Sequence, residues 1–68
     1  MLTARRCGGL IYIRNDEGRI VQTHNAVQLA KSWINLGGGP MFGAIHGFRW
    51  DPDRKTLREA QRQLKTNR

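Results

Sequence analysis

The fold is decided by residues 10–23, which read LIYIRNDEGRIVQT. Both ends of this stretch are rich in residues that favour β-strands, among them Ile11, Tyr12 and Val21. Between them lies the sequence NDEG, whose last residue, Gly18, tolerates the positive φ that tight turns need. Two short β-runs around a glycine-ended turn predict a β-hairpin, with strands over residues 10–14 and 19–23.

The segment after the hairpin predicts a helix over residues 26–36 that covers one face of the sheet. Asn25 is a favoured N-cap residue, and Gln28 three positions later completes a capping box. Apolar residues recur at helical spacing and form one stripe, which consists of Ala26, Val27, Leu29, Ala30, Trp33 and Ile34. Gly37 is well placed to end the helix, and Pro40 is expected to prevent it from resuming.

Residues 41–50 are interpreted as a third strand because larger side chains occur at every second position. The alternating set is Phe42, Ala44, His46, Phe48 and Trp50. Such alternation is typical of a strand with one buried face. Glycines at positions 43 and 47 indicate a bulge or the close approach of another backbone segment.

A second helix is predicted to run to about Lys65, with Asp51 as its N-cap, Pro52 at its first position and Asp53 in its first turn. The expected fold is α+β, in the order β-β-α-β-α. It has a small, three-stranded, mostly antiparallel sheet, one packed helix and a basic C-terminal helix. Residues 1–9 are expected to be a flexible basic lead-in, residues 10–66 a single domain and residues 67–68 a frayed C-terminus.

Composition limits the class of protein. The chain has 68 residues, a formal net charge of +7 and one cysteine, Cys7, so an internal disulfide is excluded. Without a long apolar segment we expect no membrane span, and we expect an intracellular, cytoplasmic protein with a reduced thiol. A small ordered domain with a pI near 11.2 favours an anionic partner, and nucleic acid is the commonest.

The charge is concentrated in the last helix. Residues 54–68 contain six cations and one acid, Glu59, which gives a net charge of +5. The cations recur at helical spacing, while Leu57, Ala60 and Leu64 form a separate apolar stripe. Such a row can contact successive phosphates, although a solvated helix face is the alternative. The predicted nucleic-acid-binding residues are Arg49, Arg54, Lys55, Arg58, Arg62 and Lys65, with Arg14 and Arg19 as flanking contacts.

The aromatic residues of the predicted third strand have two interpretations. Trp50 and Phe48 are candidates for base stacking or for anchoring a protein interface. Core packing is the alternative, and it is the stronger one for Phe42 and Phe48, because so small a domain needs its aromatics in the core. Trp50 stands at a strand end and is expected to be partly exposed.

These residues indicate a small accessory or regulatory nucleic-acid-binding protein, with DNA favoured over RNA. We expect no enzyme, cofactor or metal, since each carboxylate outside the last helix is explained by a turn or cap role and only Cys7, His24 and His46 offer soft ligands. The alternative is a phage- or mobile-element-type inhibitor or adaptor that binds a host protein or nucleoprotein complex. A homodimer is a further expectation at this size.

The order of the first elements, β-β-α, resembles that of small sheet-plus-helix domains in some phage integrases and related DNA-binding proteins. That resemblance implies DNA as the partner. The basic composition is also similar to that of small products of phages and mobile elements, including inhibitors of host defence.

Overall fold

The computed structural model describes residues 1–66, so the predicted fraying of residues 67–68 lies outside the described part of the chain. The architecture is α+β, as predicted, but within residues 1–66 the sheet has four strands and three helices follow the hairpin. The elements are β1 (Leu2–Cys7), β2 (Leu10–Arg14), β3 (Ile20–Asn25), α1 (Ala26–Asn35), α2 (Gly39–His46), β4 (Phe48–Arg49) and α3 (Arg54–Thr66). The strand order is β3-β2-β1-β4.

The predicted hairpin is confirmed by strands β2 and β3, which pair antiparallel. Asn15 organises the turn, because its side-chain oxygen accepts hydrogen bonds from the backbone N–H groups of Glu17 and Arg19, both at 3.0 Å. Gly18 has a φ of +81°, as a glycine-ended turn requires. A register shift beside Ile13 and Arg14 interrupts the ladder near the turn.

Strand β1 occupies the segment that the sequence predicted to be a flexible lead-in. Leu2 and Ala4 point towards the core and alternate with exposed residues, so the segment has the period of a half-buried strand. A two-residue Gly8-Gly9 loop, with Gly8 at a φ of +61°, connects β1 to β2. The glycine pair thus forms a hairpin turn, and the basic segment before it is part of the domain.

Helix α1 begins at Ala26 as predicted and ends at Asn35, one residue before the predicted end. The side chain of Asn25 accepts hydrogen bonds from the N–H groups of Val27 at 2.9 Å and Gln28 at 3.2 Å. At the other end Gly37 has a φ of +80°, and its N–H donates to Ile34 O. The next N–H, of Gly38, donates to Trp33 O at 3.1 Å, which completes a Schellman motif.

Helix α2 replaces most of the predicted third strand. Pro40 was expected to prevent a further helix, but it lies in the first turn of α2. Backbone N–H groups in the first turn have no partner within the helix, so the missing N–H of proline costs no hydrogen bond there. The prediction failed because Phe42 and His46 are four residues apart, a spacing that fits a strand face and a helix face equally well. Only β4 is extended, and it pairs parallel with β1, with Phe48 opposite Leu2.

Helix α3 begins later than predicted, and Asp53 stands in the cap position in place of Asp51. A side-chain oxygen of Asp53 accepts from the N–H of Thr56 at 3.4 Å, and its carbonyl accepts from the N–H of Leu57 at 2.9 Å. Pro52 therefore precedes the helix. The cap is an aspartate, as predicted, but it lies two residues further along the chain.

The core lies between one face of the sheet and the helices. Its buried side chains are Ile11, Ile13, Ala26, Leu29, Phe42 and Phe48, with Leu2, Ala4, Trp33, Leu36 and Trp50 packed around them. The alternation of Ile11 and Ile13 with Tyr12 leaves the opposite face of the sheet open to solvent. Among the helices described, none is long and apolar enough to cross a membrane.

Candidate nucleic-acid interface

The five predicted cations of α3 are all exposed: Arg54, Lys55, Arg58, Arg62 and Lys65. At helical geometry they span about 100° of arc, and the buried residues Thr56 and Ala60 lie roughly 170° from the centre of that arc. We call these five residues the basic face. The helix therefore buries one side and presents its cations on the opposite side.

Helix α3 is held by α1. Ala30 of α1 and Ala60 of α3 are both fully buried, and such small side chains allow two helices to approach closely. The predicted apolar stripe is confirmed in part, because Ala60 is buried while Leu57 and Leu64 are half-buried. Thr56, which the sequence analysis did not assign to the stripe, is only 4% exposed. This docking fixes the direction in which the basic face points.

Glu59 is the one acid in residues 54–66, and it pairs with Arg62 of the basic face. Arg62 donates from Nε to Glu59 Oε2 at 2.8 Å and from Nη2 to Oε1 at 2.7 Å, so the pair is bidentate. The two residues are three positions apart on an exposed surface, where such pairs contribute little stability. The pair mainly lowers the positive potential at this end of the face.

Arg6 of strand β1 lies beside the basic face. Its Nη1 donates to Asp53 Oδ1 at 2.5 Å, next to the start of α3. The hydroxyl of Thr56 also donates to Asp53 Oδ1, at 2.5 Å. The pKa of Asp53 is lowered from 3.8 to about 2, mainly by the hydrogen bond from the Thr56 hydroxyl. Desolvation opposes this shift, and the contact with Arg6 and the Thr56 N–H lower the pKa further. Asp53 is therefore a carboxylate at neutral pH.

A shallow groove of about 350 Å³ runs beside the basic face. It is lined by Arg6, Val27, Lys55, Thr56, Arg58, Glu59 and Arg62. Four cations and one acid thus meet in one concavity that is open to solvent. Arg6 was not predicted to lie beside α3, because residues 1–9 were expected to be a flexible basic lead-in. Arg6 reaches this groove because strand β1 pairs with strand β2, a contact that the linear sequence did not show.

Arg49 and Trp50 lie at another part of the surface. Arg49 is exposed and Trp50 is half-buried, and both line a concavity of about 380 Å³ with Gly39, Pro40 and Asp51. Among the described residues, none of the α3 cations lines that concavity. The structure therefore does not bring Arg49 into one groove with the basic face.

Phe48 is a core residue and cannot stack on a ligand. It is 3% exposed, and its ring meets that of Phe42 edge to face at a centroid distance of 5.4 Å. The candidate stacking role is therefore wrong, and the core-packing alternative holds. The centroid of the Trp50 ring lies 5.9 Å from that of Phe42, so Trp50 packs at the edge of this aromatic cluster.

The two histidines join the same cluster. His24 and His46 lie edge to face with a centroid distance of 6.4 Å, and the ring of His46 is 4.3 Å from that of Phe42. His24 also contacts the side-chain oxygen of Gln22 at 2.9 Å through Nε2. Cys7 is exposed. Within residues 1–66 there is no group of three or more His, Cys, Asp or Glu residues that could hold a metal ion.

No protein-family model, curated protein or solved structure matches this chain.

Proposed function

We propose that this is a small, non-enzymatic nucleic-acid-binding protein that contacts phosphates through α3, with DNA as the favoured ligand. The observation that carries the proposal is the separation of charge on α3. Five cations are exposed on one side of the helix, and Thr56 and Ala60 are buried on the other. A charge distribution that served solubility alone would not need such segregation.

The spacing of the basic face supports backbone contacts. Arg54, Arg58 and Arg62 follow one another by four residues, so their Cα atoms rise about 6 Å per step along the helix. This rise is close to the separation of successive phosphates along a nucleic-acid strand. Arginine can grip a phosphate with two parallel hydrogen bonds, which gives each contact direction as well as charge.

The groove beside α3 adds Arg6 to these contacts. Its guanidinium donates from Nη1 to Asp53 and from Nε to Gly8 O, and these two hydrogen bonds leave other N–H groups for a phosphate. We expect the ligand backbone to follow the groove along Lys55 and Arg58. Such an interface carries affinity without reading sequence, which suits an accessory role.

The proposal is tested by the dependence of binding on salt. Fluorescence anisotropy with labelled duplex DNA, single-stranded DNA and RNA, between roughly 50 and 200 mM salt, gives the affinity for each. Five phosphate contacts on B-DNA predict a slope of about −4 to −5 in log K against log salt. A flat salt response, or no binding at the lowest salt, contradicts the proposal.

A matched pair of variants locates the contact. Arg58→Gln removes an exposed cation from the basic face, and Lys31→Gln removes a half-buried cation from α1, outside that face. Arg58→Gln is expected to reduce the salt slope by about 0.9. Lys31→Gln should leave the slope unchanged. Equal effects of the two variants would mean that net charge, and not α3, governs binding.

A protein partner is the second candidate function, favoured by apolar side chains on α2. Met41 is 54% exposed and Ile45 is 60% exposed, and they are four residues apart on one side of the helix. Apolar residues clustered on a surface favour protein contacts over phosphates. An inhibitor or adaptor of a host protein or nucleoprotein would use this side of α2. Retention of a stoichiometric protein after nuclease treatment would distinguish it from the nucleic-acid proposal.

Self-association remains a prediction with its own support. Strand β3 forms one edge of the sheet, and Ile20 and Val21 on it are 44% and 47% exposed. An edge with unpaired backbone groups and apolar side chains can pair with a second copy. Sedimentation over a range of concentrations tests for the homodimer.

An intracellular location is part of the same proposal. Cys7 is exposed and has no disulfide partner within the described chain. An accessible thiol is maintained in a reducing compartment, where cytoplasmic nucleic acid is also present.

A further inference from the structure

The face of the sheet that points away from the helices carries its own set of cations. Pairing of the strands brings Arg5, Tyr12 and Thr23 into one row across β1, β2 and β3. The next row contains Arg14 opposite Thr3, and Thr3 in turn neighbours Arg49 of β4. Directly opposed residues share a face, so Tyr12 is bordered by Arg5 across the ladder and by Arg14 along its own strand.

These side chains form a concavity around the tyrosine. It has a volume of about 300 Å³ and is lined by Arg5, Arg6, Cys7, Tyr12 and Arg14. Tyr12 is half-buried, and its neighbours Arg5 and Cys7 are exposed, so the site is open to solvent. The concavity is distinct from the groove beside α3, since the two have only Arg6 in common.

The charge of this face has one sign. The four strands that the structure describes contain no aspartate or glutamate. Asp16 and Glu17 lie in the hairpin turn, and Asp16 accepts a hydrogen bond from the N-terminal ammonium of Met1. Arg14 donates to Gly18 O at 3.2 Å, which uses one of its five N–H groups and leaves others for a ligand. The face is therefore complementary to an anion.

We infer that this sheet face binds single-stranded nucleic acid, with an unpaired base stacked on Tyr12 and the adjoining phosphates held by Arg5 and Arg14. An aromatic ring between cations on an open sheet matches both parts of a nucleotide, the flat base and the charged phosphate. A duplex cannot use this site, because its base faces are covered by neighbouring pairs. The inference rests on the proposed function and adds a second, strand-selective surface to it.

The protein would then have two binding surfaces with different ligands. The basic face of α3 contacts phosphates and accepts a duplex, whereas the tyrosine site requires a base that is free of its stack. A ligand that contains both, such as a duplex with a single-stranded extension, would be bound more tightly than either part alone. Multivalent contact of this kind raises affinity without any new type of interaction.

The test compares Tyr12→Ala with Tyr12→Phe, because phenylalanine keeps the aromatic face and loses only the hydroxyl. Binding is measured by anisotropy with a labelled single strand about ten nucleotides long and with a blunt duplex of the same sequence. Tyr12→Ala is expected to weaken single-strand binding roughly 5- to 150-fold, the loss of one base–aromatic stack. Duplex binding should change less than about twofold. Tyr12→Phe should bind both ligands like the unaltered protein.

A fluorescent base reports the stack directly. A strand that carries 2-aminopurine is expected to lose fluorescence on binding the unaltered protein and the phenylalanine variant, and to keep it with Tyr12→Ala. Circular dichroism of each variant confirms that the fold is retained. If Tyr12→Ala does not fold, Arg5→Gln is compared with Lys31→Gln, because both remove one charge and Arg5 is exposed on the strand.

The outcomes separate this inference from the proposed function. If the unaltered protein binds a duplex with the expected salt slope but Tyr12→Ala binds single strands normally, only the tyrosine site is overturned. If it binds neither ligand, both are overturned. A dimer that dissociates in Tyr12→Ala would show that a second copy covers this face, and would also overturn the inference.

Discussion

Arg6 and Asp53 are 47 positions apart in the sequence, yet the Nη1 of Arg6 lies 2.5 Å from Oδ1 of Asp53. The contact ties strand β1 to the start of α3, which otherwise packs mainly on α1. The same carboxylate accepts the Thr56 hydroxyl and caps the helix. One acidic side chain therefore caps the basic helix and links its start to the sheet.

Stability should depend on pH through Asp53. Its pKa is lowered from 3.8 to about 2 by the Thr56 hydroxyl and then by Arg6, so the folded protein prefers the charged carboxylate. The stabilisation is present above the unfolded-state pKa near 3.8 and is lost as the pH falls towards about 2. We therefore expect Asp53→Asn to be less stable than the unaltered protein at neutral pH, and the difference to shrink in this acidic range.

The measurement is urea unfolding of both proteins at several pH values between neutrality and about 2, the lowered pKa of Asp53. Asp51→Asn is the control, since Asp51 is also exposed but makes none of the cap contacts described for Asp53. A constant difference between Asp53→Asn and the unaltered protein across the acidic range would show that its carboxylate charge does not contribute.

Phe48→Ala should be strongly destabilising. Phe48 is 3% exposed and packs on Phe42 and Leu2, so truncation leaves a cavity in the core. Large-to-small changes of this type cost about 3–5 kcal/mol, which is most of the stability of a domain this small. Arg49→Ala, at the exposed neighbouring position, should change the free energy of unfolding by less than about 0.5 kcal/mol. Thermal unfolding followed by circular dichroism measures both, and similar effects of the two variants would contradict the core assignment.

Ala60→Leu should loosen α3 from α1. Ala60 is fully buried beside that helix, and a larger side chain there has no space to fill. Overpacking at such a contact costs about 1–3 kcal/mol. Ala44→Leu is the matched control because Ala44 is exposed on α2. Hydrogen exchange should show faster exchange in α3 for Ala60→Leu only. Unchanged protection of α3 would mean that it is held elsewhere.

The parts of the fold that were predicted correctly are those whose signals are local. Asn25 identifies the start of α1 because an N-cap acts within three residues, and Gly37 identifies its end for the same reason. Gly18 identifies the hairpin turn. The exposed cations of α3 follow from helical periodicity alone, so most of the candidate interface was accessible from the sequence.

The parts that were missed depend on partners distant in the chain. Strand β1 offers only Leu2 and Ala4 as an apolar alternation, and it becomes a strand through its pairing with β2. The four-residue spacing of Phe42 and His46 fits both a strand and a helix. In the structure the segment is helical, and Phe42 is fully buried in the core. Arg6 reaches the α3 groove, and Tyr12 acquires its arginine neighbours, only after the strands pair.

Glu59→Gln should strengthen duplex binding if the basic face is the contact surface. The substitution removes the one acid of residues 54–66 and the bidentate pair that it forms with Arg62, while glutamine keeps the size and the helix propensity. An exposed pair of this kind is worth at most about 1 kcal/mol, so we expect affinity to rise about two- to fivefold at moderate salt. Glu17→Gln makes the same change in net charge at the exposed hairpin turn and should raise affinity less. Anisotropy titrations at a fixed salt concentration compare the two. Equal gains would assign binding to overall charge, whereas a larger gain for Glu59→Gln would localise the ligand along α3.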